Sequence, residues 1–358
     1  MHLSIAIIAV LLSILLIVAV HEAGHAIVAR CFGVRIRRIA VGVGKPSWRW
    51  RDQQDREWIV GLWPIGGYVH FFNTRVASVA PQQQSHCFDK KPIGTRILIL
   101  VAGAAANVLL AWFALTGYYL VGHQQSTPII ATVTPASIAA QAQLKPGDEF
   151  ISIAGHPSPS WQSVSMQLFL QLGKAQTQVI VKNTAGINRK TTLHLSHWQD
   201  QHQASLLENL GLMPDSNPNH LRQIAGEPLF QAVYHATTKG IILGYFYLMV
   251  LKQVLSGTVP FLLLLGPLGL LMTMVDSFLQ GVAVFLYFLA NLNLAVAIVN
   301  LLPLPGLDGG AIVYACIEKI RGKPLSIALE VLLHRLAMIA LCVLFIQLIM
   351  NDVQRYFT

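Results

Sequence analysis

The sequence predicts a polytopic α-helical membrane protein of about four spans, with a β-hairpin on one side and a single folded α+β domain inserted on the other. Three observations predict it. Of 358 residues, 54% are hydrophobic and only 11% charged, far from the quarter charged of an ordinary soluble domain. Four stretches, roughly 3–29, 96–121, 282–302 and 330–350, are apolar over the ~20 residues that a crossing needs. The basic residues are shared unevenly: twelve Lys or Arg lie between Arg30 and Arg96, against seven between 122 and 240.

That imbalance sets the orientation. By the positive-inside rule the loop after the first span is cytoplasmic, so the N-terminus, the long middle segment and the C-terminus lie outside. Lys319, Arg321 and Lys323, after the third span, agree. The net charge of +9 therefore reads as topology, and nucleic acid is excluded as a partner because no basic helix interleaved with aromatics occurs. The first apolar run is expected to be a retained span: no Lys or Arg precedes Arg30, as a signal peptide's basic start would require. Cys31, Cys87, Cys316 and Cys342 show no pairing pattern and are expected to be free.

Residues 34–72 alternate apolar and polar side chains between glycine-rich breaks, as a β-hairpin does, and their tryptophans (Trp48, Trp50, Trp58, Trp63) and arginines suit a membrane interface. The outer segment carries short β-rich runs (IIATV, EFISIAG, TQVIVKN, TTLHL), a candidate helix PASIAAQAQL and the turn Lys145-Pro146-Gly147-Asp148, with LGLMP at 210–214 placed to close the domain. Residues 215–281 form a linker. Its apolar part, 241–275, is broken by Gly257, Pro260, Gly266, Pro267 and Gly269, which favours a re-entrant or surface-lying piece over a fifth span.

Chemistry enters at His21-Glu22-Ala23-Gly24-His25, an HExxH pattern inside the first span. On a helix, positions i and i+4 share a face, so both imidazoles reach one zinc while Glu22 stands beside them to activate a water. Chance supplies about 0.02 such matches in a chain of this composition. Ionisable groups within a membrane are costly and mark function. Catalytic zinc takes three protein ligands, and the surroundings of His25 are apolar. The best third candidate is Asp308 in NLLPLPGLDGG, residues 300–310, the one carboxylate between Val282 and Cys316. Pro303 and Pro305 break the helix there and Gly306, Gly309 and Gly310 permit close backbone approach. The same Asp308 also has the position of a helix cap.

HEAGH on the first span, GAAAN (Gly103 to Asn107) on the second and NLLPLPGLDGG on the third together resemble the site-2 protease family of intramembrane zinc metalloproteases, most closely its bacterial regulator of sigma-E branch. FDKKPIGTRILILVAGAAAN and GGYV at 66–69 extend the resemblance over nearly the whole chain. It implies that His21, His25 and Asp308 bind Zn2+, that Glu22 is the catalytic base, and that the outer domain is of the PDZ type. The full expectation is thus a polytopic α-helical membrane protein with a cytoplasmic-side membrane-associated β-hairpin and one inserted periplasmic PDZ-like domain at 122–214, in a bacterial inner membrane. The sequence departs from the family at Ala104, where proline is common, and at Ala295, where an asparagine is common and Asn293 lies two positions earlier. Room exists for one PDZ-like domain, whereas enterobacterial relatives carry two.

Hydrolysis then targets peptide bonds within single-span membrane proteins already trimmed outside, such as anti-sigma factors or remnant signal peptides; this substrate class follows from the resemblance. The bilayer is the other partner. The PDZ-like domain either accepts peptide tails at a sheet edge or occludes bulky ectodomains. A helical substrate must be unwound for attack, by strand addition at the hairpin or at 257–269. Asn300, Asn107, Pro303 and Pro305 are candidate substrate-binding residues, and Asn300 serves equally well to hold the third span to its neighbours. The competing readings are a membrane scaffold with a peptide-binding outer domain and a transporter, since broken helices and buried acids also mark ion paths.

Overall fold

The computed structural model describes residues 2–196, 198, 205–215, 217–259 and 264–357. In chain order these form α1 (His2–Cys31), β1 (Ile36–Arg51), β2 (Glu57–Phe71), α2 (Ile93–Val121), β3 (His123–Ser126), β4 (Ile130–Val133), α3 (Ile138–Gln141), β5 (Glu149–Ile153), β6 (His156–Pro157), α4 (Trp161–Leu170), β7 (Thr177–Lys182) and β8 (Asn188–Leu193). There follow α5 (Leu206–Asn209), β9 (Leu212–Pro214), β10 (Leu221–Ile224), α6 (Leu229–Leu255), α7 (Pro267–Leu279), α8 (Val282–Asn300), α9 (Asp308–Arg321) and α10 (Ile327–Phe357). They fall into two compact units. The first holds Met1–Tyr118, Ala232–Leu243 and Pro267–Gln347, and the second Tyr119–Gln231, Gly244–Gly266 and Leu348–Thr358.

In the first unit, α1 runs thirty residues without a proline, about 45 Å at 1.5 Å per residue and longer than a ~30 Å hydrocarbon core. It packs on α2 through Gly24, whose missing side chain admits the Ala102 carbonyl and the Ala106 methyl. Helix α8 stops at Asn300 because Pro303 and Pro305 cannot donate to a continuing helix. Helix α9 restarts at Asp308 and ends on Gly322 at φ 69°, a left-handed C-terminal stop preceded by Lys319 and Arg321. The turn between α8 and α9 is tight: Gly309 rests on the Leu301 and Leu302 carbonyls, Gly310 on that of Leu304.

The expected hairpin folds back once more on itself. Residues 36–41 register with both 67–71 and 57–60, and 46–51 register with 57–61, so the strand runs lie in the order 46–51, 57–61, 36–41, 67–71. Run 67–71 is an edge with no second strand partner among the described residues. At the opposite edge Trp50 stacks on Trp58 at 5.6 Å, and Trp48 is 70% exposed. Asp52 accepts from the Trp58 indole and from Arg56, which hold its carboxyl far below the ordinary carboxylate range. Arg38 does the same for Glu57 across the strands.

The second unit is a β-rich domain. Its sheet has the order β6-β5-β7-β8, beside the pairs β4-β9 and β3-β10. Phe150, Ile153, Val164, Leu168, Val179, Val181, Leu193 and Leu195 are fully buried at its centre. The four predicted strand runs are strands, and 212–214 closes on β4 as expected. PASIAAQAQL yields only the single turn of α3, flanked by Ala136 and Gln143 at positive φ. Helix α4, capped by Ser160, went unpredicted. Its residues 160–171 supply both a buried apolar stripe and the capping serine.

Among the described residues five helices are long and apolar enough to cross a membrane, one more than the four expected, and the additional one is α6. Where a broken piece was expected, the chain is one helix to Leu255 and ends at Gly257, φ 73°. The breakers foreseen begin only there, so they bound the helix instead of interrupting it; Pro260 lies outside the described residues. Within the second unit the later half of α6 packs on the β-domain, with Phe246 5.8 Å from Phe169 and the Gln253 amide donating to the Phe169 and Leu170 carbonyls.

Candidate metal centre

The structure brings His21, His25 and Asp308 to one point. The two imidazoles, one turn apart on α1, meet edge to face with centroids 4.8 Å apart. Their Nε2 atoms are 3.2 Å apart, and Asp308 Oδ2 lies 3.2 Å from each. Three ligand atoms at the corners of an equal-sided triangle are what a tetrahedral ion requires: zinc bonds of about 2.0–2.2 Å set neighbouring ligands ~3.3 Å apart. The tautomer fits as well. His25 Nδ1 lies 2.7 Å from the Ile99 carbonyl, which can only accept, so the proton sits on Nδ1 and Nε2 is left bare toward the triangle. Oδ2 of Asp308 is buried and otherwise unpartnered. The residues present therefore fit a zinc ion. Asp308 is the first residue of α9 and caps nothing; Leu307 holds the cap position.

One face of α2 forms the wall behind the ligands. Ile99 supplies the carbonyl, and Gly103 lies flat against both imidazoles, where any Cβ would fall on the His25 ring. Asn107 is fully buried 3.4 Å from His21 Nδ1, with its Oδ1 unpartnered. A half-turn of that amide presents Oδ1 to an Nδ1–H of His21 and satisfies both groups.

In front of the ligands opens a cavity of about 680 Å3, lined by Glu22, His25 and Asp308, by the edge run Gly67–Phe71, and by Phe72, Asn73 and Phe88 among others. Gly67 presses against Glu22 and Val18 so closely that a Cβ would lie 3.3 Å from Glu22 Cγ and 2.8 Å from Val18 Cγ1. The Val69 backbone amide stands beside the Glu22 carboxylate. Glu22 thus faces the same space as the unpaired strand edge. Asn107, Asn300, Pro303 and Pro305 are not among the residues lining this cavity. The first backs His21, and the others shape or precede the turn that delivers Asp308. Asn293 is fully buried and donates to the Leu289 carbonyl of its own helix.

A family model described as peptidase family M50 matches residues 9–345. The chain belongs to the M50 peptidases, the site-2 proteases. Its activity is accordingly that of an intramembrane metalloprotease. It is similar to regulator of sigma-E protease RseP of Salmonella typhimurium, 29% identical over 95% of this chain and 96% of that protein. The protein of the same name in Escherichia coli is 28% identical with the same coverage. A candidate zinc metalloprotease of Pasteurella multocida is 26% identical over 95% of this chain and 96% of its own length. The Salmonella alignment runs to 432 positions, against 358 residues here; the longer relative exceeds this site-2 protease by about one small domain.

Proposed function

We propose that this site-2 protease hydrolyses peptide bonds inside the spans of pre-trimmed single-span membrane proteins, with His21, His25 and Asp308 as the ligands of one zinc ion and Glu22 as the general base. The observation that carries the proposal is the equal-sided triangle of ligand atoms sharing a cavity with Glu22 and an unpaired strand edge. A zinc ion held by His21, His25 and Asp308 would supply an acidified water and polarise the scissile carbonyl. Glu22 takes the proton from that water and returns it to the leaving amine. Asn107 and the Ile99 carbonyl fix the two imidazoles, and Gly67 and Val69 fix Glu22. A substrate unwound from its helix pairs as a further strand along Gly67–Phe71, which lays its backbone across the cavity.

The test uses proteoliposomes and a reporter single-span protein. Cleavage should vanish with a zinc chelator and return with stoichiometric Zn2+, and Asp308→Asn should lower zinc affinity at least tenfold. Proline at Tyr68 or His70 should abolish cleavage with zinc retained. Normal turnover by metal-free protein would sink the assignment of the metal, and normal turnover by both proline variants would sink strand addition.

The sequence relatives and the domain's alternating short strands support reading the outer unit as PDZ-like, acting in the periplasm. Contacts within the first unit support the orientation. Arg75 pairs with Glu330 and donates to the Leu325 carbonyl, and Arg96 pairs with Glu318, which sets the α9–α10 link on the same side as the basic first loop. At the other end Tyr118 of α2 meets Tyr287 near the start of α8. Helix α6 follows β10, which pairs with β3 just after α2. By the positive-inside rule the N-terminus, the C-terminus and the β-domain are periplasmic. Thiol labelling of single-cysteine variants at Gly257 and Gly322 should reach the first only from the periplasm and the second only from the cytoplasm; the reverse at either site overturns this topology. By its relatives, an anti-sigma factor of the sigma-E response is the first substrate to try.

A further inference from the structure

We propose that Arg96 is a positioning residue that fixes, through one guanidinium, both the third metal ligand and the strand on which substrate is laid. The proposal rests on the zinc and strand-addition readings above. Arg96 lies on the same face of α2 that backs the ligands: residues 96, 99, 103 and 107 recur at helical spacing, and Arg96, Ile99, Gly103 and Asn107 are all buried. The upper three touch the histidines. Arg96 sits one turn below, at the foot of the helix, and reaches two further parts of the site, α9 and the strand edge.

The first is α9. Nη1 of Arg96 donates to Glu318 Oε2 at 2.8 Å, with the two side chains only 9% and 20% exposed. Glu318 lies ten residues beyond Asp308 on the same helix. Gly309 and Gly310 hold the start of α9 against the preceding turn, and the Arg96 pair holds its far end; a helix pinned at both ends cannot pivot, so its first carboxylate stays on the imidazoles. The second is the strand edge. The guanidinium carbon lies 5.4 Å from the centroid of Phe88, a cation over an aromatic face. Phe88 in turn stacks on Phe71, the last residue of the edge run, at 5.5 Å and 16°. Both rings line the cavity.

A buried arginine with this geometry is a poor device for stability alone. Its Nε is buried without a partner, and a buried ion pair can often be replaced by apolar side chains without loss. What an apolar residue cannot do is orient a helix and a ring at once: the planar guanidinium presents edges to a carboxylate and a face to an aromatic ring, which lysine also fails to do.

The two arms separate experimentally. The full-length protein is purified in detergent, and zinc affinity, KM for the reporter substrate at saturating zinc, and thermal stability are measured for wild type, Glu318→Gln, Phe88→Leu and Arg96→Lys. Glu318→Gln should weaken zinc binding 10- to 100-fold, the range seen when outer partners of metal ligands are removed, with KM unchanged. Phe88→Leu should raise KM several-fold with zinc affinity unchanged. Arg96→Lys should keep most of the zinc affinity yet show the raised KM. Variants that lose thermal stability while zinc affinity and KM stay at wild-type values would overturn the proposal, as would both quantities moving together in Glu318→Gln and Phe88→Leu. A wild type that binds no zinc overturns the metal reading and this inference together; a zinc-binding wild type with indifferent variants overturns only the role of Arg96.

Discussion

Glu22→Gln should leave zinc content at the wild-type level while cleavage of a transmembrane reporter falls at least 100-fold, the low end of what a positioned general base contributes. The substitution keeps the shape of the side chain, its contact with Gly67 and an acceptor for the Val69 amide. It removes only the ability to take a proton. Because Glu22 is not one of the three ligand atoms, metal retention and loss of turnover should part company. Zinc analysis beside product gels reads both. Turnover within a few-fold of wild type would show that the proton goes elsewhere, and loss of zinc would show Glu22 to be a ligand.

Gly103→Ala is the substitution with the largest expected effect on the metal. An alanine here improves the intrinsic helix propensity of α2 by about 1 kcal/mol, so the helix itself gains. Its methyl, however, would occupy the space of the His25 ring and lie 2.8 Å from His21 Cε1. Both rings must turn, and with them the Nε2 atoms that form two corners of the triangle. Zinc affinity should fall by more than 100-fold, beyond the cost of removing an outer partner, while circular dichroism stays helical and thermal stability without metal is unchanged. Wild-type zinc affinity in Gly103→Ala would mean that α1 and α2 can separate to admit the methyl.

The part of the centre that repeats locally was legible in the sequence. His21 and His25 share a helix face by arithmetic, and Asp308 stood out as the one carboxylate in an apolar stretch beside helix-breaking prolines. What supports them was not. The Ile99 carbonyl is a backbone group and leaves no mark on composition, and Gly103 is one of 27 glycines until its neighbours are known. Arg96 was read as the end of a basic loop; its partner lies 222 residues away. Helix α6 escaped because its first turns, LFQAVYHATTKG, are too polar to extend the apolar run that follows. The β-domain's strands were visible from alternation, but α4 was not, since a single amphipathic ten-residue helix between strands offers few apolar repeats to count.

The edge run at 67–71 carries a further consequence. The proposed pairing along it would use amides and carbonyls that every substrate possesses, so side-chain identity should contribute little to recognition. What differs among transmembrane segments is the free energy needed to pull a few residues out of their own helix. Glycine and proline lower that energy and a run of leucine does not. If substrate is laid along this edge as proposed, the enzyme should discriminate by how readily a span melts, and a membrane protein should escape it by being a good helix.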